Sequence, residues 1–181
     1  MIFFTADLHF GHANVMKHCS RPFESVDEMD ATLIRNWNDA IAQKDEVYIL
    51  GDFTMKPASD AHIYLSRLSG RKYFIRGNHD RFLKNYDQYK ADFEWVKDYH
   101  VLRINGYRIV LFHYPILEWD QFYRGAIHLY GHVHNSEKSG ERLAALAGPA
   151  FNVGVDVNAF RPVSLDEIID RASVYSVLHE G

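Results

Sequence analysis

Short apolar runs alternate with polar clusters along the chain, and their spacing predicts the elements. Ile2-Phe3-Phe4-Thr5-Ala6 leads into Asp7-Leu8-His9, and Val47-Tyr48-Ile49-Leu50 leads into Gly51-Asp52. Tyr73-Phe74-Ile75 leads, through Arg76, into Gly77-Asn78-His79-Asp80. Runs rich in β-branched and aromatic residues, stopped by Gly or Asp, read as buried strands. Between them lie helical patterns. Ser25-Val26-Asp27-Glu28 is a capping box, and the stripe Met29, Leu33, Trp37, Ile41 behind it has helical spacing. A second helix is expected from Pro57, with Ala61, Tyr64, Leu65 and Leu68 inward, and a third after Asp80, with Phe82, Leu83, Tyr86 and Phe93 inward. Strand–helix–strand–helix–strand predicts a largely parallel α/β unit.

The second half changes character. Val101–Ile104 and Tyr107–Phe112 flank Asn105-Gly106, a strong hairpin turn signal. Further strands are expected at Ile127–Tyr130 and Phe151–Val155, and Ser164-x-x-Glu167 opens a short C-terminal helix. No repeat, low-complexity tract or linker interrupts the pattern, so a single domain over residues 1–181 is expected, with layered sheets and outer helices.

Composition narrows the function classes. With 47% hydrophobic residues the chain has material for a sizeable core, and a net charge of −4 gives no coat for nucleic acid or anionic membrane. The lone Cys19 excludes internal disulfides and every CxxC motif. The N-terminus has no basic segment before Asp7, and no apolar run nears the roughly 20 residues of a membrane helix, so a cytoplasmic setting is expected. One count stands out: eleven histidines, several beside Asp, Asn or Gly.

The polar clusters fall at the C-terminal ends of the expected strands, where open α/β sheets place ligands. They contain Asp7 and His9, Asp52, Asn78-His79-Asp80, His113, and His132 with His134. In extended backbone, residues two apart share a face, so Asp7/His9 and His132/His134 are each expected to converge. Asp7, His9, Asp52, Asn78, His113, His132 and His134 offer two carboxylates, an amide oxygen and four imidazoles. One ion with an open position takes three or four protein ligands, so this set suits two ions sharing a carboxylate. Imidazole with carboxylate favours Mn, Fe, Zn, Ni or Co over Mg or Ca. Two divalent ions against two carboxylates leave a cationic cleft, a receptor for a phosphate ester in two-metal hydrolysis.

Asp7-x-His9, Gly51-Asp52, Gly77-Asn78-His79-Asp80, His113 and Gly131-His132-x-His134 resemble, in order, the signature blocks of the calcineurin-like metallophosphoesterase superfamily. The resemblance implies a four-layer α-β-β-α sandwich of two mixed sheets and a dinuclear centre, Mn being the first choice. It implies Asp7, His9, Asp52 and His134 on one ion and Asp52, Asn78, His113 and His132 on the other, with Asp52 bridging. It further implies attack in line by a metal-bridging hydroxide. His79 would assist the leaving oxygen, and Asp80 would orient His79. Gly51-Asp52 continues Phe53-Thr54-Met55, which departs from the Asp-Arg-Gly stretch of the protein-phosphatase branch. The chain resembles the small cap-less branch, whose commoner substrates are phosphodiesters and small phosphoesters, and small phosphodiesters are expected here ahead of phosphomonoesters.

His12, Arg21 and Arg124 are the further candidates for substrate contact, being in loops near the blocks. His18, His62, His100, His128 and His179 fit no block and read as structural, and Cys19 reads as a small hydrophobe. Trp119 and Tyr123 either wall the substrate or pack a loop. The rival readings are a nuclease, a non-catalytic metal-binding scaffold of the same fold, and a mononuclear zinc hydrolase. No GxSxG, GxxxxGK or GxGxxG motif offers another chemistry.

Overall fold

The computed structural model describes residues 1–55, 58–84, 91–143 and 148–179, of which 58–60, 140–142 and 177–179 are described by their backbone alone. Two sheets lie face to face. The first carries β1 (Ile2–Thr5), β2 (Glu46–Leu50), β3 (Arg71–Ile75), β4 (Trp95–Lys97) and β9 (Val163–Ser164), in the order β4-β3-β2-β1-β9. Its strands are parallel except β9. The second, ordered β5-β6-β7-β8, carries β5 (Tyr99–Ile104), β6 (Tyr107–Phe112), β7 (Ile127–Tyr130) and β8 (Ala150–Asn152). Its β5–β6 hairpin is antiparallel and the rest parallel.

Both faces of the first sheet are covered, which is why its strands read as unbroken apolar runs. Successive side chains point to opposite faces. Phe3, Val47, Ile49 and Phe74 pack with Met29, Leu33 and Trp37 of α2 (Val26–Ala40) and with Ala61 and Leu65 of α3 (Ala58–Leu65). Phe4, Tyr48, Leu50 and Ile75 point the other way, against Ile109, Leu111, Ile127 and Leu129 of the second sheet. That core between the sheets is extended by Leu165, Ile168 and Ala172 of α5 (Leu165–His179). The remaining helices are α1 (Ala13–His18) and α4 (Glu137–Leu143).

Local signals are met closely in several places. Ser25 caps α2, its hydroxyl accepting the Glu28 N–H at 3.1 Å. Ser25→Ala is expected to cost about 1 kcal/mol, measured as a shift of the urea midpoint at constant slope. Asn105 (φ 50°) and Gly106 (φ 81°) form the turn between β5 and β6, where a two-residue turn of this hand needs positive φ at both positions.

Other expectations are corrected. The strand expected over Phe151–Val155 ends at Asn152, because Val155–Val157 coil into a 3₁₀ turn whose last N–H groups bond Gly154 and Val155. The C-terminal helix is fifteen residues, longer than expected. Where a helix is expected after Asp80, residues 81–84 form a 3₁₀ turn that buries Phe82 and Leu83, and Phe93 is buried from non-helical backbone; Tyr86 and Pro57 lie outside the described residues. The two mixed sheets of the expected fold are present, and Val110 of the second packs with Trp119 and Ala126.

Candidate metal centre

The loops leaving β1 and β2 run side by side. Asp7 N–H donates to Gly51 O (3.0 Å), His9 N–H to Asp52 O (2.9 Å) and Phe10 N–H to Phe53 O (2.9 Å). Asp7 (φ 58°), His9 (52°), Asp52 (56°), His132 (71°) and His134 (50°) are all left-handed. The convergence of Asp7 with His9, and of His132 with His134, is therefore not the shared face of an extended strand. The chain has already left β1 and β7, and sharp turns in a costly backbone region aim these side chains inward. Glycines make room for them. A Cβ on Gly77 would lie 2.3 Å from Asp52 Oδ1, and one on Gly131 would lie 2.8 Å from Asp7 Oδ2.

All seven candidate ligands come together. The ligand atoms of Asp7, His9 and His134 form one group and those of Asp52, His113 and His132 another, each with its members within 4.8 Å of one another. Asp52 Oδ2 lies between them, 3.5 Å from His9 Nε2 and 3.6 Å from His113 Nε2. Asn78 Oδ1 joins the second group at 3.0 Å from His113 Nε2 and 2.9 Å from His132 Nδ1.

The donor chemistry fits cations. Among the described residues neither ring nitrogen of buried His9 has a hydrogen-bond partner, an arrangement that buried polar atoms otherwise avoid. His113 Nδ1–H donates to Leu50 O at 2.7 Å, which leaves the Nε2 lone pair facing the oxygens of Asn78 and Asp52. A cation between these acceptors would satisfy all of them. Burial holds both imidazoles neutral, as a ligand must be, His9 down to about 2 and His113 below its ordinary value. Burial also lifts Asp7 to about 7, a penalty that a bound cation would relieve.

Residues 1–152 match the family model described as the calcineurin-like phosphoesterase superfamily domain. The chain belongs to that superfamily. It is 37% identical to the Methanocaldococcus jannaschii protein MJ1445, over 99% of this chain and 97% of that one. It is 30% identical to the gene 66 protein of Mycobacterium phage L5, over 92% and 91%. Among solved structures it resembles the Aquifex aeolicus protein of unknown function AQ665, with a TM-score of 0.74 and 26% identity over 94% of this chain and 98% of that one. Superfamily membership supports metal-dependent hydrolysis of phosphoesters in general.

Around the candidate ligands, three side chains do work that their sequence positions did not announce. Arg21, a candidate for phosphate, is buried under the site. Its Nε and Nη2 donate to Asp156 at 2.7 and 2.9 Å, and Nη1 and Nη2 also hold the carbonyls of Leu8 and Asp7 at 3.0 and 2.7 Å. Asp156, which the motifs missed, accepts His134 Nδ1–H at 2.7 Å and so frees Nε2 of His134 for the site. Burial is the largest influence and lowers His134, but the bonds to Asp156 and Cys19 and the charges of Asp7 and Asp156 together outweigh it and lift it to about 10, so an ion at Nε2 would displace a proton there. One signal was available: a carboxylate inside Val153-Gly154-Val155-Asp156-Val157 is an apolar setting that demands a partner.

Asp80 is the third. Its carboxylate accepts the N–H groups of Asp52 (2.9 Å), Phe53 (2.9 Å) and Gly77 (2.7 Å), so it braces the loops after β2 and β3 instead of orienting the His79 ring. Burial, reinforced by nearby Asp52, lifts Asp80 to about 7. His79 is tied by its backbone N–H to Asp52 Oδ1 at 2.9 Å, while its side chain stays 36% exposed with Nε2 4.0 Å from Asp52 Oδ2.

His12 precedes α1 with its ring centroid 5.5 Å from that of His9. Arg124 lies on the exposed 3₁₀ turn Phe122–Arg124, bonded to Gln121, with no described contact to the ligand groups. Trp119 packs its loop, donating to Ala126 O at 2.7 Å, while Tyr123 is solvent-exposed. His128 is buried between the carbonyls of Val110 and Tyr114, and Cys19 is buried.

Proposed function

We propose that the protein is a dinuclear metal-dependent phosphoesterase acting on small phosphodiesters. The observation that carries this reading is the pair of ligand groups meeting at Asp52 Oδ2, beside the unpartnered nitrogens of His9. In this reading Asp7, His9, Asp52 and His134 hold one ion, and Asp52, Asn78, His113 and His132 hold the other. Two divalent ions, Mn by preference among Mn, Fe, Zn, Ni and Co, would supply Lewis acidity and an activated water.

The chain's own residues do the rest. His79 stands beside the ligand groups with a partly exposed ring and gives a proton to the departing oxygen, its position set by its backbone bond to Asp52. His12 faces the phosphate from the α1 side. Arg21 is committed to Asp156, so imidazoles rather than guanidinium meet the phosphate. That distribution suits the single charge of a diester better than the double charge of a monoester. A net charge of −4 favours a small ester over a nucleic acid strand. Among the described residues no helix is long and apolar enough to cross a membrane.

The test is hydrolysis of bis-p-nitrophenyl phosphate and p-nitrophenyl phosphate by chelated protein reloaded with Mn²⁺. Metal-dependent turnover, faster on the diester, is the expected result. No turnover with two ions verified on the protein would overturn the assignment, and a faster monoester rate would overturn the diester preference.

A further inference from the structure

A cavity of about 590 Å³ adjoins the candidate ligand groups, with His132 and His134 among its lining residues. It passes between the turn that follows α1 and the segment leading into α4, and this volume lies within the range of small-molecule sites. Its walls are tied together. Asn135 Nδ2 donates to Cys19 O across the cavity at 2.8 Å, and Asn152 Nδ2 holds His134 O at 3.0 Å. Beneath them Arg21 and His134 share Asp156, so the turn carrying Ser20 and the loop carrying His134 are anchored on one carboxylate. The groove is therefore preformed, and its shape is coupled to the position of a candidate metal ligand.

Its chemistry is specific. His18, Ser20, Asn135, Ser136 and Ser139 offer hydrogen-bond donors and acceptors, and Glu137 is the one carboxylate among the described lining residues. No lysine or arginine lines it among those residues. An aryl arm without hydroxyl groups would leave these donors and acceptors unused, and a second phosphate would meet Glu137 with no lysine or arginine among the described lining residues to receive it. An uncharged arm rich in hydroxyl groups finds partners along both walls.

We infer that this groove is the subsite for the organic arm of the substrate, and that the arm is an uncharged, hydroxylated group such as a nucleoside or small polyol. The inference rests on the phosphoesterase reading above and goes beyond it by naming the substrate class. Interactions remote from the reacting phosphorus lower KM when they act on bound substrate and transition state alike.

The experiment compares four Mn²⁺-dependent substrates with a common leaving group: bis-p-nitrophenyl phosphate, the p-nitrophenyl phosphodiesters of glycerol and of thymidine at its 5′ oxygen, and the latter carrying a 3′-phosphate. A hydroxylated arm is expected to lower KM on the order of tenfold relative to the bis-aryl ester, and the better of the two distinguishes polyol from nucleoside. The 3′-phosphate is expected to erase that gain. Glu137→Lys is expected to raise the preference for the 3′-phosphorylated over the plain thymidyl ester on the order of tenfold, read as a ratio within each protein so that general effects cancel. Equal KM values for all arms, or a wild-type preference for the extra phosphate, would overturn the inference while leaving the phosphoesterase standing. If even the bis-aryl ester is not hydrolysed with two ions bound, the phosphoesterase reading fails instead. Amide NMR shifts on adding thymidine or glycerol then decide the groove: shifts at Ser20, Asn135 and Ser139 support it, and their absence for both overturns it.

Discussion

His79→Ala is expected to keep its metal ions and lose turnover on the order of 10²–10⁴-fold, the effect of removing an acid–base group. His79 stands apart from the two candidate ligand groups, and what fixes its loop is the backbone N–H on Asp52 Oδ1, which alanine retains. The ring itself is the part that faces solvent and substrate. The loss should depend on the leaving group. An alkoxide needs a proton to depart, whereas p-nitrophenolate leaves readily without one, so the full loss belongs to an alkyl diester and a smaller one to the p-nitrophenyl esters. Metal analysis beside kcat on both substrate types checks this. Loss of an ion from the purified variant would place His79 among the ligands, and equal losses on both substrates would remove its role as an acid.

Asp156→Ala should injure both the fold and the metal centre. The Arg21 and Asp156 side chains are 0% and 1% exposed, so deleting the carboxylate leaves a guanidinium buried without its counter-charge. Breaking one side of such a pair costs about 3–5 kcal/mol. The same deletion frees the His134 ring, whose orientation rests on the 2.7 Å bond to Asp156, and outer-shell losses of this kind cost roughly 10–100-fold in metal affinity. Urea unfolding of the chelated protein isolates the first effect and Mn²⁺ titration the second. Unchanged unfolding would mean that Arg21 finds another partner. Unchanged metal affinity would remove Asp156 from the support of His134.

The residues that bear on these two experiments differ in how readily they could be read. His79 sits in Gly77-Asn78-His79-Asp80, a cluster that follows an apolar run and is visible as soon as the strand is. Asp156 has no such context. Its partners are 22 and 135 positions away, and nothing within a few residues of it fixes where Arg21 will arrive. Arg21 and Asp80 show the same limit from the other side. Both stand next to recognisable blocks, yet Arg21 faces inward to Asp156, and the acceptors of Asp80 are used by N–H groups of a loop 27 and 28 positions earlier, besides that of Gly77. Short edge strands were equally hidden, since β4 and β9 owe their pairing to the exposed edges of β3 and β1 rather than to any period of their own.

By itself, then, the sequence determined what depends on near neighbours: the strands β1, β2, β3 and β7, the capped helix α2, the Asn105-Gly106 hairpin, and the kinds and order of the donor residues. Such features are governed by propensity, periodicity and capping over a few residues. The tertiary structure alone decided that Asp7, His9, Asp52, His132 and His134 are aimed by left-handed turns, that Asp156 and Arg21 brace the site from beneath, and that a polar groove opens at His132 and His134. Each of these requires a costly backbone conformation or a buried charge that is stable only once distant segments have packed around it.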